Sequence, residues 1–229
     1  MVPEQQACLY HTLFQFFLYN RETASATTAE VETFVFVLHM DKIYLTAQGL
    51  LEDSFKLAHQ ILTSGFRPSF MIAVWRGGAP IGIAVQEFLA FHGIQTDNIA
   101  IRTSSYSNID NQSREIQIFG LNYLVKNMQH TDRLLLVDDV FDTGRSMEAI
   151  IKELHRRMRL NMPEDVRIAV PYYKPSRNQT DRAPDYYVHE TADWIKFPHS
   201  LEGLSVEEIR EKRPAIYEIL KKHLNDSTT

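Results

Sequence analysis

Short apolar runs that alternate with helical repeats constrain this chain more than any other feature. Phe70 to Trp75 is apolar and ends in Arg76-Gly77-Gly78, and a helical pattern resumes over residues 79–91. Residues 134–137 form a second apolar run that ends in an acidic turn, followed by a helical pattern over about 145–159. Runs of this length bounded by turn residues are buried strands, whereas apolar spacing at three and four residues marks a helix with one covered face. Leu51, Phe55, Ala58 and Leu62 predict an earlier helix over residues 48–62, and residues 99–102 and 166–173 supply further strands. Strands alternating with helices predict an α/β fold with a doubly wound, mostly parallel sheet, which binds ligands beyond the carboxyl ends of its strands. Residues 104–115 hold few apolar anchors and are expected to form a mobile loop. Ser205-Val-Glu-Glu208 is a capping-box signature, and Pro214 suits the first turn of a last helix ending near Leu224.

Composition narrows the function classes. With 229 residues and 44% hydrophobic content, the chain has enough material for one sizeable domain with a small appendage. Its net charge is −5 and no stretch gathers Lys and Arg into a stripe, so a nucleic-acid partner is not expected. No apolar run approaches the roughly 20 residues of a membrane span, so no membrane partner is expected either. Cys8 is the single cysteine, which excludes an internal disulfide and fits a reducing, cytoplasmic setting. Residues 1–39 read as an appendage, with apolar Leu13, Phe14, Phe16, Phe17 and Leu18 ahead of a small-polar stretch, and without the basic start of a signal peptide. Met40 opens the regular pattern and is expected to be the true start. The expected division is an appendage at 1–39, a main domain at 40–204 and a helical segment at 205–229.

The chemistry concentrates in residues 137–146, Val-Asp-Asp-Val-Phe-Asp-Thr-Gly-Arg-Ser. Gly144 frees a turn that can aim backbone N–H groups at a phosphate beside the positive end of the following helix, with hydroxyls at Thr143 and Ser146. Asp138 and Asp139 repel phosphate but accept hydrogen bonds from a vicinal diol and suit a divalent ion held through ligand oxygens or water. The plainer reading is a solvated acidic turn before a helix.

This string resembles the PRPP-binding signature of the type I phosphoribosyltransferases, where PRPP is phosphoribosyl pyrophosphate, and the resemblance runs over residues 40–204. It is most similar to the hypoxanthine, guanine and xanthine enzymes. Trp75-Arg76-Gly77-Gly78 matches the family's pyrophosphate loop, in which the peptide bond between the first two positions is cis. Ser104-Ser105-Tyr106, with Asn111-Gln112 and Arg114-Glu115, resembles the flexible catalytic loop. Lys174-Pro175 and Trp194-Ile195 match the purine pocket, where a lysine donates to the 6-oxo group, an aromatic ring stacks on the base and the next residue's backbone meets its 2-position edge.

The resemblance implies the family's fold with a small hood subdomain, Mg²⁺ as cofactor, PRPP and a free purine as substrates, and a homodimer or homotetramer. It implies binding of PRPP by Trp75, Arg76, Gly77, Asp138, Asp139, Asp142, Thr143, Gly144, Arg145 and Ser146. Asp142 takes the position of the general acid/base, and Arg76 adds charge at the leaving group. The implied reaction converts a 6-oxopurine, hypoxanthine being favoured, to its nucleoside monophosphate; a base with a 6-amino donor fits Lys174 poorly. After Trp194 the chain departs from the family: Ser200 stands where an acidic metal-binding residue is common, with Glu202 the nearest substitute. A PRPP- or nucleotide-sensing regulator on the same fold stays open as the alternative.

Overall fold

The computed structural model describes residues 42–107 and 114–224. They fall into two compact units: Leu45–Ala192, and the segments on either side of it. Strand β1 (Lys42–Tyr44) belongs to the smaller unit.

In the larger unit, α1 (Ala47–Thr63) starts at Thr46, whose hydroxyl accepts from the Gly49 N–H at 3.0 Å and so satisfies one of the helix's open donors. The buried stripe of α1 is Leu50, Leu57, Ala58 and Ile61, while Leu51 and Phe55 are exposed. The apolar face predicted on Leu51 and Phe55 is therefore offset from the real one. The reason is Asp53, a polar residue on the buried face, which accepts from Lys56 Nζ at 2.8 Å, His189 Nε2 at 2.8 Å and the Tyr172 hydroxyl at 3.3 Å. Burial would raise its carboxyl pKa, but Lys56 and His189 prevail and hold it below the usual range.

The strands are β2 (Phe70–Trp75), β3 (Asp97–Ser107), β4 (Arg114–Phe119), β5 (Arg133–Val137), β6 (Val140–Phe141), β7 (Asp165–Tyr173) and β8 (Tyr186–Glu190), with α2 (Gly78–Phe91), α3 (Asn122–Asn127) and α4 (Arg145–Met158) between them. They form one sheet in which β3, β2, β5 and β7 are parallel neighbours, β4 is an antiparallel edge on β3, and β8 runs parallel to β7. The α/β doubly wound, mostly parallel fold expected from the alternation is the one observed. On one face Ile72, Val74, Leu134, Leu136, Ile168 and Val170 pack with Met147, Ile150, Leu154 and Met158 of α4 and Leu121 and Leu124 at α3. On the other face α2 lies directly on β2, where a Cβ added to Gly82 would be 2.8 Å from that of Ala73.

β3 extends past the strand expected at residues 99–102, and β4 stands where no strand was expected. Residues 104–107 and 114–115 are not loop but the ends of β3 and β4, paired from Arg102 with Phe119 to Ser107 with Arg114. Pairing with a partner strand, not apolar content, decides their conformation. Asn111 and Gln112 lie outside the described residues.

The smaller unit pairs β1 in parallel with β9 (Trp194–Lys196), Lys42 opposite Trp194 and Tyr44 opposite Lys196. Helices α5 (Val206–Lys212) and α6 (Pro214–Leu224) follow. Ser205 forms the expected capping box with Glu208. Arg213 donates to the carbonyls of Phe197, Pro198 and Ser200 at 2.7, 3.2 and 2.6 Å, which gathers the loop after β9 around one guanidinium.

Candidate active site

The site in the larger unit grows from an interruption in one strand. β5 pairs with β7 up to Val137 opposite Ala169, and β6 resumes with Val140 opposite Tyr172, at the same offset. Asp138 and Asp139 are the two residues that leave this in-register ladder, at the carboxyl end of β5.

The glycine turn after β2 closes on them. Gly78 donates its N–H to the Asp138 carboxylate, and a Cβ on Gly78 would lie 2.5 Å from the Val137 carbonyl and 2.9 Å from the Asp138 Cα. Only glycine lets the turn approach so near. The Trp75–Arg76 peptide bond is cis, the geometry implied by the resemblance. Gly77 caps α2 without a side-chain hydrogen bond; within the first turn the Gly78 N–H is turned to Asp138, Ala79 donates its N–H to the Arg76 carbonyl at 3.2 Å and Pro80 has none to offer.

Burial and, next, the neighbouring Asp139 carboxylate push the Asp138 pKa well above the carboxylate range. Burial raises that of Asp139 to about 6, against the backbone N–H of Val140. Two adjacent carboxylates this short of countercharge suit a cation and hydroxyl donors. Among the described residues no three His, Cys, Asp or Glu side chains converge as a metal cluster, so an ion here would need oxygens from a ligand or water.

Beyond β6, Gly144 (φ 77°) turns the chain into α4, again with no side-chain cap. Asp142, Thr143 and Ser146 are partly buried and Arg145 exposed. The segment after β7 runs alongside: Lys174 donates its N–H to the Phe141 carbonyl at 2.9 Å, and Gln179 to the Thr143 carbonyl at 3.0 Å. A Cβ on Gly144 would meet the Thr180 hydroxyl at 2.6 Å and the Phe141 ring at 2.7 Å, so Thr180 sits over the turn. Arg177 Nε donates to Asp142 Oδ1 at 2.5 Å. The Lys174 side chain is buried, 3% exposed.

Fold and proximity thus unite Trp75, Arg76, Gly77, Asp138, Asp139 and residues 142–146 at one end of the sheet, with Lys174 in the adjoining segment. Gly78 belongs to the glycine turn read from the sequence, whereas Arg177 and Thr180 were not anticipated and carry no local signal. For residues 104–106 the structure describes only the strand backbone.

Trp194 and Ile195 stand on β9 of the smaller unit. Lys196 Nζ lies 5.6 Å from the centroid of the Trp194 ring and donates to the carbonyls of Glu202 and Gly203 at 3.3 and 3.1 Å. Burial, foremost, lowers the Lys196 pKa. The Glu202 residue itself is exposed.

The glycine turn and the acidic pair meet at the carboxyl end of the sheet, where open α/β folds of this topology bind their ligands. The chain belongs to the phosphoribosyl transferase domain family, whose model matches residues 41–205. It is an enzyme of the pentosyltransferase class. Among solved structures it is similar to a purine phosphoribosyltransferase from Pyrococcus horikoshii, at 27% identity over 72% of this chain and 99% of that one, TM-score 0.57. It is also similar in fold to a hypothetical protein from Neisseria gonorrhoeae with bound ppGpp (22%, 79% and 97%, TM-score 0.61). A third is the Helicobacter pylori xanthine-guanine-hypoxanthine phosphoribosyltransferase (20%, 77% and 99%, TM-score 0.54). No match to a curated protein was found. Among the described residues no helix is long and apolar enough to cross a membrane.

Proposed function

We propose that the chain transfers the 5-phosphoribosyl group of PRPP to N9 of a 6-oxopurine, hypoxanthine before guanine or xanthine, releasing pyrophosphate. The observation that carries this reading is the closure of the Gly77-Gly78 turn on Asp138 and Asp139, with the uncapped N-terminus of α4 beyond Gly144. That arrangement suits a ligand with a phosphate at the α4 end and a diol beside the carboxylates, and the cation of Arg76 stands at the glycine turn for a second anionic group.

In the reaction, backbone N–H groups and hydroxyls of residues 142–146 hold the 5-phosphate, and Asp138 and Asp139 accept from the ribose hydroxyls. Arg76 and the turn at Trp75 to Gly77 receive the pyrophosphate. Lys174 donates to O6, and the resemblance gives Trp194 the role of stacking on the ring and the Ile195 backbone that of bordering the 2-position. N9 attacks C1 as the C1–O bond breaks, with the electron pair leaving on pyrophosphate. Asp142 accepts the proton that N7 gives up. Residues 104–106 belong to the segment that excludes water from the electron-poor sugar. Asp138 and Asp139 would hold Mg²⁺ through ligand oxygens or water, and Glu202 is the candidate for a further metal contact; the ion would supply neutralisation of the charge on pyrophosphate. The domain limits at 40 and 204, a homodimeric or homotetrameric assembly and a cytoplasmic setting complete the reading.

The test is nucleotide formation from PRPP and each free base, with and without Mg²⁺, in wild type and Asp142→Asn. Transfer to hypoxanthine that falls roughly 10²-fold in the variant, with PRPP affinity retained, supports the reading. PRPP binding without transfer to any base would instead favour the sensing alternative.

A further inference from the structure

We infer that Arg177 is a positioning residue that holds the Asp142 carboxylate in place for proton transfer at N7. This rests on the role proposed above for Asp142.

The pair is not an ordinary surface ion pair. Both side chains are largely covered, 29% exposed for Arg177 and 30% for Asp142, and the contact uses the guanidinium Nε at 2.5 Å. An exposed pair between two long side chains is worth little because ordering them cancels the attraction. Here the ordering is done by the backbone. Lys174 N–H is fixed to the Phe141 carbonyl and Gln179 N–H to the Thr143 carbonyl, one on each side of the pair. Between them Arg177 N–H donates to the Lys174 carbonyl at 3.0 Å, closing a single turn of 3₁₀ helix over Pro175–Arg177. The Arg177 backbone is thus set opposite Asp142 before the side chains meet.

The pair engages Asp142 through Oδ1, and no described residue engages Oδ2. Oδ2 is then the acceptor left to face a substrate. The same turn carries Lys174, the residue proposed to donate to O6. On a purine, O6 and N7 are neighbours on one edge of the ring system. One short segment therefore sets both contacts to that edge, Lys174 directly and Asp142 through Arg177. A carboxylate free to rotate would place its acceptor at N7 only part of the time, and misplacement of a reacting group by about 1 Å costs rate steeply.

The experiment compares wild type, Asp142→Asn, Arg177→Gln, Arg177→Lys and the Asp142→Asn/Arg177→Gln double variant in steady-state transfer, with PRPP binding measured by calorimetry. Arg177→Gln is expected to lower kcat by about 10-fold or more while KM and Kd for PRPP stay within about twofold, and Arg177→Lys is expected to recover part of the loss. The double variant is expected to be no slower than Asp142→Asn alone, because the arginine acts only through that carboxylate. A wild-type kcat in Arg177→Gln, or independent losses that multiply in the double variant, overturns the inference. So does a raised KM for PRPP at unchanged kcat, which would make Arg177 a phosphate ligand. If Arg177→Gln fails to fold, Arg177→Lys decides by the same criteria of kcat, KM and coupling to Asp142→Asn. Unchanged turnover in Asp142→Asn removes the acid/base reading itself, whereas a slow Asp142→Asn beside a normal Arg177→Gln removes only the role of the arginine.

Discussion

A Cβ placed on Gly77 would lie 1.9 Å from Oδ2 of Asp139. The turn after β2 and the acidic pair after β5 are therefore one structure, although the two residues stand far apart along the chain.

The two glycines of that turn are expected to fail differently. Gly77→Ala meets the Asp139 carboxyl group, a side chain that must turn aside, so the fold should survive while PRPP affinity falls by about 10-fold or more. Gly78→Ala meets the Val137 carbonyl, backbone within the sheet, and should cost about 1–3 kcal/mol of stability. Urea unfolding and calorimetry with PRPP separate the two outcomes; equal stability losses would refute the distinction.

Asp139→Asn is expected to trade binding for stability. A carboxyl whose folded-state pKa rises from 3.8 to about 6 holds its proton more tightly when folded, so wild type loses stability as pH climbs through that interval. Removing the buried charge should stabilise the protein by about 1–2 kcal/mol at pH 7.5, with the gain gone at pH 4, where the wild-type group is largely protonated in the folded state. Thermal melts at the two pH values check the sign.

Glu208 should behave in the opposite sense. Burial alone would raise its pKa, but hydrogen bonds from Lys42, the Ser205 N–H and Tyr44 bring it from 4.5 down to about 2. Its stabilisation is present above 4.5 and is lost as pH falls from there towards 2. Glu208→Gln should cost about 1–2 kcal/mol at pH 7 and little at pH 2.5, read by denaturant unfolding of both proteins.

Lys174→Met removes the donor to O6 while keeping a similar length. KM for a 6-oxopurine should rise by roughly 10-fold or more with KM for PRPP unchanged, since the contact is to the base alone. A rise in KM for PRPP instead would move Lys174 out of the base pocket.

Much of this protein is written in local pattern. The run at residues 70–75, the helix after Gly144 and the capping box at Ser205 depend on neighbours within a few positions, and they appear where the periodicity puts them. The acidic string at 137–146 was legible for the same reason, because its residue types and order carry the chemistry. Long-range packing set the rest. β1 and β9 are three residues each and exist because they pair across most of the chain. The buried face of α1 turns on Asp53, whose partners His189 and Tyr172 are 136 and 119 positions away. Arg177 finds Asp142 35 positions back. Hydrogen bonds and ion pairs act over a few ångströms of space and are indifferent to separation along the chain, so no periodicity records them until the sheet has brought the partners together.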